Sequence, residues 1–285
     1  MEKYLSEFSN YKIKIAYYFK TSNDHCGGIG DYIKYLSFLI KIGIKYNIAI
    51  YVIHFSNIHD EFLKLIHDKM YIKFEEISSN MVHLSGRLKE EDFTQLQSDV
   101  FNVINPASLF NFDATSWEKI INIDWFLPNN MNLYDIFYFN DSIIKNIPDN
   151  LKNIKYISIH IRTYTDRKSS GSGLFSFNED NLDRFISEKK DSTPIFLCTD
   201  SIILKKRLQD KYKNVLTTDF GEIGHTGDLD TTKKSILNTI TELFILANSE
   251  AIFTADTNRV SGFSLVASRF KNINFKKISS LYLDS

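Results

Sequence analysis

Cysteine is almost missing from this sequence: 285 residues contain two, Cys26 and Cys198. They lie far apart and in no metal-ligand spacing, so neither a disulfide framework nor a cysteine zinc site is indicated, and a reducing compartment fits. Proline and glycine are also scarce, at 4 and 11 residues, so each is expected to mark a structural event. An excess of charge of one sign is lacking as well. With 34 basic and 35 acidic residues the net charge is −1, which argues against a nucleic-acid partner held by a broad basic face. Lys41 and Lys45 interrupt the most apolar early stretch, and no run approaches the ~20 residues of a membrane span. The first residues, Met1-Glu2-Lys3-Tyr4, lack the basic and apolar regions of a signal peptide. These absences read as a soluble, cytoplasmic chain.

What is present is an ordinary globular mixture, 43% hydrophobic and 24% charged, with length enough for two cores. Residues 11–19 are β-branched and aromatic and read as a strand. From Asp31 the apolar positions Tyr32, Tyr35, Leu36, Leu39 and Ile40 recur at helical spacing, with Gly43 placed as a stop. Residues 48–53 form a continuous apolar run, as in a strand buried on both faces. This is a β-loop-α-β opening of a Rossmann-like sheet. Residues 60–150 mix short apolar runs with polar stretches and predict further helices and short strands.

A second such unit starts after Pro148-Asp149-Asn150, with strands at 156–161, 194–198 and 251–254. Helices are expected from about Asn178, from Ser201 and across 236–247. The chain therefore reads as α/β, with two Rossmann-like domains, 1–150 and 151–285, facing each other across a cleft.

Four segments could carry chemistry. Gly27-Gly28-Ile29-Gly30-Asp31 joins a strand to a helix, where glycines let amides approach an anion. A tight turn capped by Asp31 accounts for the same pattern. His160-Ile161-Arg162, followed by Asp166, lies at the carboxyl end of a strand, the edge where α/β sheets bind ligands. There Arg162 could meet a diphosphate, or simply pair with Asp166. Cys198-Thr199-Asp200 ends another strand, with Asp200 placed to cap the next helix. The fourth, Asp256 through Ser264, could cradle phosphate on amides and hydroxyls, with Asp256 facing the donor edge of a base. Cys26 lacks a basic neighbour and reads as a loop residue. His225 and Asp228 do not make up a zinc site between them.

Taken in order, these segments resemble the superfamily of GDP-fucose-dependent fucosyltransferases that includes the α1,6-, α1,2- and protein O-fucosylating enzymes. Gly28-Ile29-Gly30-Asp31 is similar to its glycine-rich turn, and His160-Ile161-Arg162 to its H-x-R motif. Phe196 to Asp200 is similar to its second motif. Glu242-Leu243, Asp256 and Ser261-Gly262-Phe263-Ser264 are similar to its third. The resemblance implies a GT-B fold and an inverting, metal-independent glycosyltransferase that needs no cofactor beyond its donor substrate, GDP-fucose, and takes a glycan or other hydroxyl acceptor. It assigns Arg162 to the diphosphate, and Gly28, Gly30, His160, Asp166, Thr199, Asp200, Asp256, Ser261, Gly262, Phe263 and Ser264 to the nucleotide sugar. Asp31 or Asp24 is a candidate base. Thr163 stands where many relatives carry a second arginine, so Arg162 neutralises charge alone or with Arg167 or Arg259. A GT-B transferase with another nucleotide sugar, such as a heptosyltransferase-like enzyme, and a non-catalytic glycan-binding protein of the same fold are the alternatives.

Overall fold

The computed structural model describes residues 1–20, 28–55, 57–84, 86, 88–112, 131–163, 177–189, 193–221, 223, 231–255 and 260–282. Among them, twelve strands form two five-stranded parallel sheets and one antiparallel pair. The first sheet has the order β4-β2-β1-β6-β5 and is built from β1 (Lys14–Tyr17), β2 (Ala49–Ile53), β4 (Tyr71–Ile72), β5 (Met81–His83) and β6 (Phe101–Ile104). The second has the order β10-β9-β8-β11-β12, from β8 (Ile157–Ile161), β9 (Ile195–Thr199), β10 (Val215–Leu216), β11 (Ala251–Thr254) and β12 (Asn274–Lys277). In between, β3 (Leu63–Leu65) pairs with β7 (Phe137–Phe139).

Both large sheets start on a central strand, add the next two on one side, then cross to the other. The crossing leaves a crevice at the carboxyl ends of β1 and β6 in the first sheet, and of β8 and β11 in the second. That is where parallel α/β sheets hold ligands.

The expected elements are present, with informative shifts. The first long helix, the one read from Asp31 onward, spans Ile29–Tyr46 and is buried on most of its surface. Gly43 does not end it. The helix runs on to Asn47, whose φ of 56° makes the left-handed cap. Gly43 is instead a close-packing site: a Cβ there would lie 2.7 Å from both the Ile48 oxygen and the Tyr4 hydroxyl. Tyr4 sits on an N-terminal helix, Glu2–Glu7, and its hydroxyl donates to the Ile48 carbonyl at 2.8 Å while accepting from the Ile50 amide at 3.0 Å.

In the later part, helices cover Glu179–Lys189, Ile202–Lys211, Lys233–Ala247 and Gly262–Arg269. One apolar cluster holds Ile33 and Leu36 of the first long helix together with Leu243, Leu246, Val266 and Phe270. At its centre the Phe139 ring lies 5.0 Å from both Phe244 and Phe270. At roughly 1.5–3 kcal/mol per buried large apolar side chain, this cluster ties residues before 150 to residues after it. Among the described residues no helix is long and apolar enough to cross a membrane.

Candidate active site at the facing sheet edges

The two crevices meet. Gly28 precedes the Ile29–Tyr46 helix, and its N–H donates to Asp31 Oδ2 at 3.2 Å, the reciprocal contact that closes the turn. Asp31 Oδ1 holds Lys34 Nζ at 2.9 Å, so both carboxylate oxygens have partners in capping and pairing. Next to it, a Cβ on Gly30 would lie 3.0 Å from the Phe263 amide nitrogen and 3.1 Å from the Gly262 carbonyl carbon. A Cβ on Gly262 would lie 3.9 Å from Asp31 Oδ1. The start of the first long helix is thus seated on the start of the Gly262–Arg269 helix, and glycine permits the approach.

Ser261 precedes the second of these helices. Its side chain is buried, and among the described residues its hydroxyl has no hydrogen-bond partner and makes no cap. The Ser264 hydroxyl donates to the Ser261 carbonyl at 3.3 Å. The positive end of a helix and a buried hydroxyl without a partner among the described residues therefore lie by the glycine turn, a setting that suits an anion.

His160, on β8, stands over this turn with its ring 5.7 Å from that of Phe263. It is buried, and Nδ1 has no hydrogen-bond partner among the described residues. Burial lowers its pKa to about 4, helped by the positive charge of Arg162 and opposed by Asp200. His160 is neutral at pH 7, and the cation at this strand end is Arg162.

Thr163, next to Arg162, is held by the residue that follows β9. Asp200 Oδ1 accepts from the Thr163 amide at 2.8 Å and from its hydroxyl at 3.0 Å. Asp200 does not cap the following helix. Ser201 does, through Leu204 N–H at 3.2 Å, and Thr199 Oγ1 accepts from Ser201 N–H at 3.3 Å. Capping falls to Ser201 because it is the residue immediately before the helix, and Asp200 is left to brace the β8 strand end.

Beneath this edge lies a polar cluster. Glu242 Oε1 accepts from Lys205 Nζ at 2.8 Å and from the Thr218 hydroxyl, and Oε2 accepts from Cys198 Sγ at 3.2 Å. Burial pulls the Lys205 ammonium down, but the Glu242 charge and hydrogen bond more than reverse it. Burial first, and the Glu242 charge second, push the Cys198 thiol well up, so it is no nucleophile. Pairing of Lys205 with Glu242 was not legible in sequence, because 37 residues separate them.

The structure brings together Gly28, Gly30, Asp31, His160, Arg162, Thr199, Asp200, Ser261, Gly262, Phe263 and Ser264 along one seam. Asp24, Cys26, Asp166, Arg167, His225, Asp228, Asp256 and Arg259 lie outside the described residues.

No protein-family model matches the sequence, and no curated protein matches it. Solved structures do match. Fucosyltransferase NodZ from Bradyrhizobium superposes with a TM-score of 0.54 at 15% identity, over 90% of this chain and 91% of that one. NodZ α-1,6-fucosyltransferase co-crystallised with GDP gives 0.53 at 13% identity, over 90% and 91%. The same enzyme soaked with GDP-fucose gives 0.51 at 13%, over 91% and 92%. At such identity the likeness is one of fold, and at that level the motif resemblance is borne out: two parallel α/β sheets carry the glycine turn and the H-x-R segment on facing edges. The chain has the GT-B fold of the NodZ fucosyltransferases.

Proposed function

We propose that this chain is an inverting, metal-independent glycosyltransferase that moves fucose from GDP-fucose to a hydroxyl of a glycan or similar acceptor. Residues 151–285 take the nucleotide sugar, residues 1–150 take the acceptor, and no cofactor is needed beyond the donor. The observation that carries this reading is the contact of the Gly28–Asp31 turn with the Ser261–Ser264 turn, beside His160 and Arg162. NodZ structures were obtained with GDP and with GDP-fucose, which supports this donor for a chain of the same fold.

A departing nucleoside diphosphate must be neutralised as the glycosidic bond breaks. Arg162 supplies full charge, and the amides at the start of the Gly262–Arg269 helix supply fixed dipoles. His160, neutral, offers Nδ1 and a ring face rather than charge. The motif resemblance assigns Asp166 and Asp256 to the donor as well, with Asp256 reading guanine. Asp31 holds the glycine turn closed.

The test is incubation with GDP-fucose and a panel of glycan acceptors, read by mass spectrometry. Arg162→Ala is expected to keep the fold and lower transfer about 100- to 1000-fold, the usual loss for removing one such stabilising donor. Near wild-type turnover in that variant refutes the assignment. Tighter binding of ADP or UDP than of GDP would replace fucosyl transfer by another GT-B reaction.

A further inference from the structure

The last paired residues of β8 and β9 are Ile161 and Thr199. One step further along each chain stand Arg162 and Asp200, and from there a side chain takes over from the backbone ladder. Asp200 Oδ1 accepts from the Thr163 amide at 2.8 Å and from the Thr163 hydroxyl at 3.0 Å, so both donors of one residue close on one oxygen. Thr163 is buried, while Arg162 and Asp200 are half-buried.

The carboxylate is itself held from both sides. After it, Ser201 donates its amide to Thr199 Oγ1 at 3.3 Å and caps the Ile202–Lys211 helix through the Leu204 amide. Before it, on β9, Cys198 Sγ bonds Glu242, whose other oxygen takes Lys205 from that same helix. Asp200 thus stands between a strand end and a helix start that are both pinned to buried groups. The pair also borders the donor site, because the charges of Arg162 and Asp200 both act on His160, whose ring lies 5.7 Å from that of Phe263 in the serine turn.

Resting on the fucosyl-transfer reading above, we infer that Asp200 is the positioning residue of Arg162. By holding Thr163 at its amide and its hydroxyl, it fixes the backbone from which the Arg162 side chain leaves, and so sets where the guanidinium meets the diphosphate. Asp200 does this as a hydrogen-bond acceptor and does not touch the nucleotide. The need for such a brace is physical. An arginine side chain is long and rich in rotamers, and its charge lowers the barrier only if it stands in place before the glycosidic bond breaks. With the β8 ladder fixing the chain before Arg162 and Asp200 fixing it after, only the side-chain torsions are left for the ligand to order.

The test is a double-variant cycle in the full chain with GDP-fucose and an accepted glycan. Asp200→Ala is expected to lower turnover about 10- to 100-fold, the range for misplacing a catalytic group by up to about 1 Å. In an Arg162→Ala background the same change should cost less than about threefold, because no guanidinium is left to misplace. Asp200→Asn keeps an oxygen where Thr163 donates and should recover most of the Asp200→Ala loss. Thr163→Val removes the hydroxyl donor and keeps the amide, and should lower turnover about 3- to 10-fold, in line with one ordinary hydrogen bond. Equal fractional losses from Asp200→Ala with and without Arg162 overturn the inference, since a fold defect or a direct nucleotide contact acts independently of the arginine. Asp200→Asn as poor as Asp200→Ala also overturns it, because charge and not the accepting oxygen then matters. Where Asp200→Ala does not fold, Thr163→Val with and without Arg162 decides by the same rule. GDP binding by the wild-type chain, read by calorimetry, separates the two readings: an additive cycle in a chain that binds GDP overturns this inference alone, and absence of GDP binding overturns the donor reading and this one together.

Discussion

Replacing Gly30 by alanine isolates the contact on which the site depends. The added methyl would sit 3.0 Å from the Phe263 nitrogen and 3.1 Å from the Gly262 carbonyl carbon, and both obstacles are backbone. Side-chain rotation cannot relieve them, so the seam must open by a few tenths of an ångström or the strain must stay. Overpacking of this kind costs about 1–3 kcal/mol. Alanine in place of glycine within a helix returns up to about 1 kcal/mol, less in the first turn, so the net stability change is small. The effect on a ligand clasped across the seam is larger. If about 1.4 kcal/mol of strain is relieved by opening, a ligand that requires closure binds about tenfold more weakly. Calorimetric titration with GDP measures this. Gly43→Ala is the control in the same helix: its methyl would meet the Ile48 oxygen and Tyr4 hydroxyl at 2.7 Å, far along the helix from the seam. It should lower the melting temperature and leave GDP affinity alone. Equal GDP affinity in Gly30→Ala and wild type would refute the idea that the two turns form one site.

Two further outcomes follow from the buried charges. Lys205→Met leaves the Glu242 carboxylate buried without its cation and should cost about 3–5 kcal/mol in denaturant unfolding, partly recovered in the Lys205→Met, Glu242→Met double variant; a single-variant loss under about 1 kcal/mol would show that the pair is dispensable. Burial pushes the Asp60 carboxyl up to about 7 from its ordinary 3.8. The folded chain thus holds that proton more tightly than the unfolded chain, and its contribution is full below the unfolded value and lost as pH rises through about 7. Up to about 4 kcal/mol is at stake at about 1.4 per unit, and Asp60→Asn should flatten the fall in stability over that window. Parallel profiles for variant and wild type would contradict it.

Much of this fold was legible because burial writes a period into the chain. The runs at 48–53 and 156–161 are apolar because both faces of a central parallel strand are covered, and both became strands. The edge strand Asn274–Lys277 was not legible. Only one neighbour pairs with it, its residues are partly exposed, and Lys276 and Lys277 read as loop. Gly43 was misread because glycine signals both a helix end and a close approach, and only the position of Tyr4 separates the two. Asp200 was assigned to its own helix because capping is local, whereas its partner, Thr163, stands 37 residues earlier.

By itself the sequence determined the α/β class, the two strand-rich halves and the short motifs at strand ends, since each is set by neighbours within a few residues. Tertiary structure alone decided that the glycine turn touches the serine turn, that Lys205 lies against Glu242, and that Asp60 lies between His54 and His59. Those outcomes depend on the strand order in each sheet and on how the two sheets face each other, and neither is encoded in local spacing.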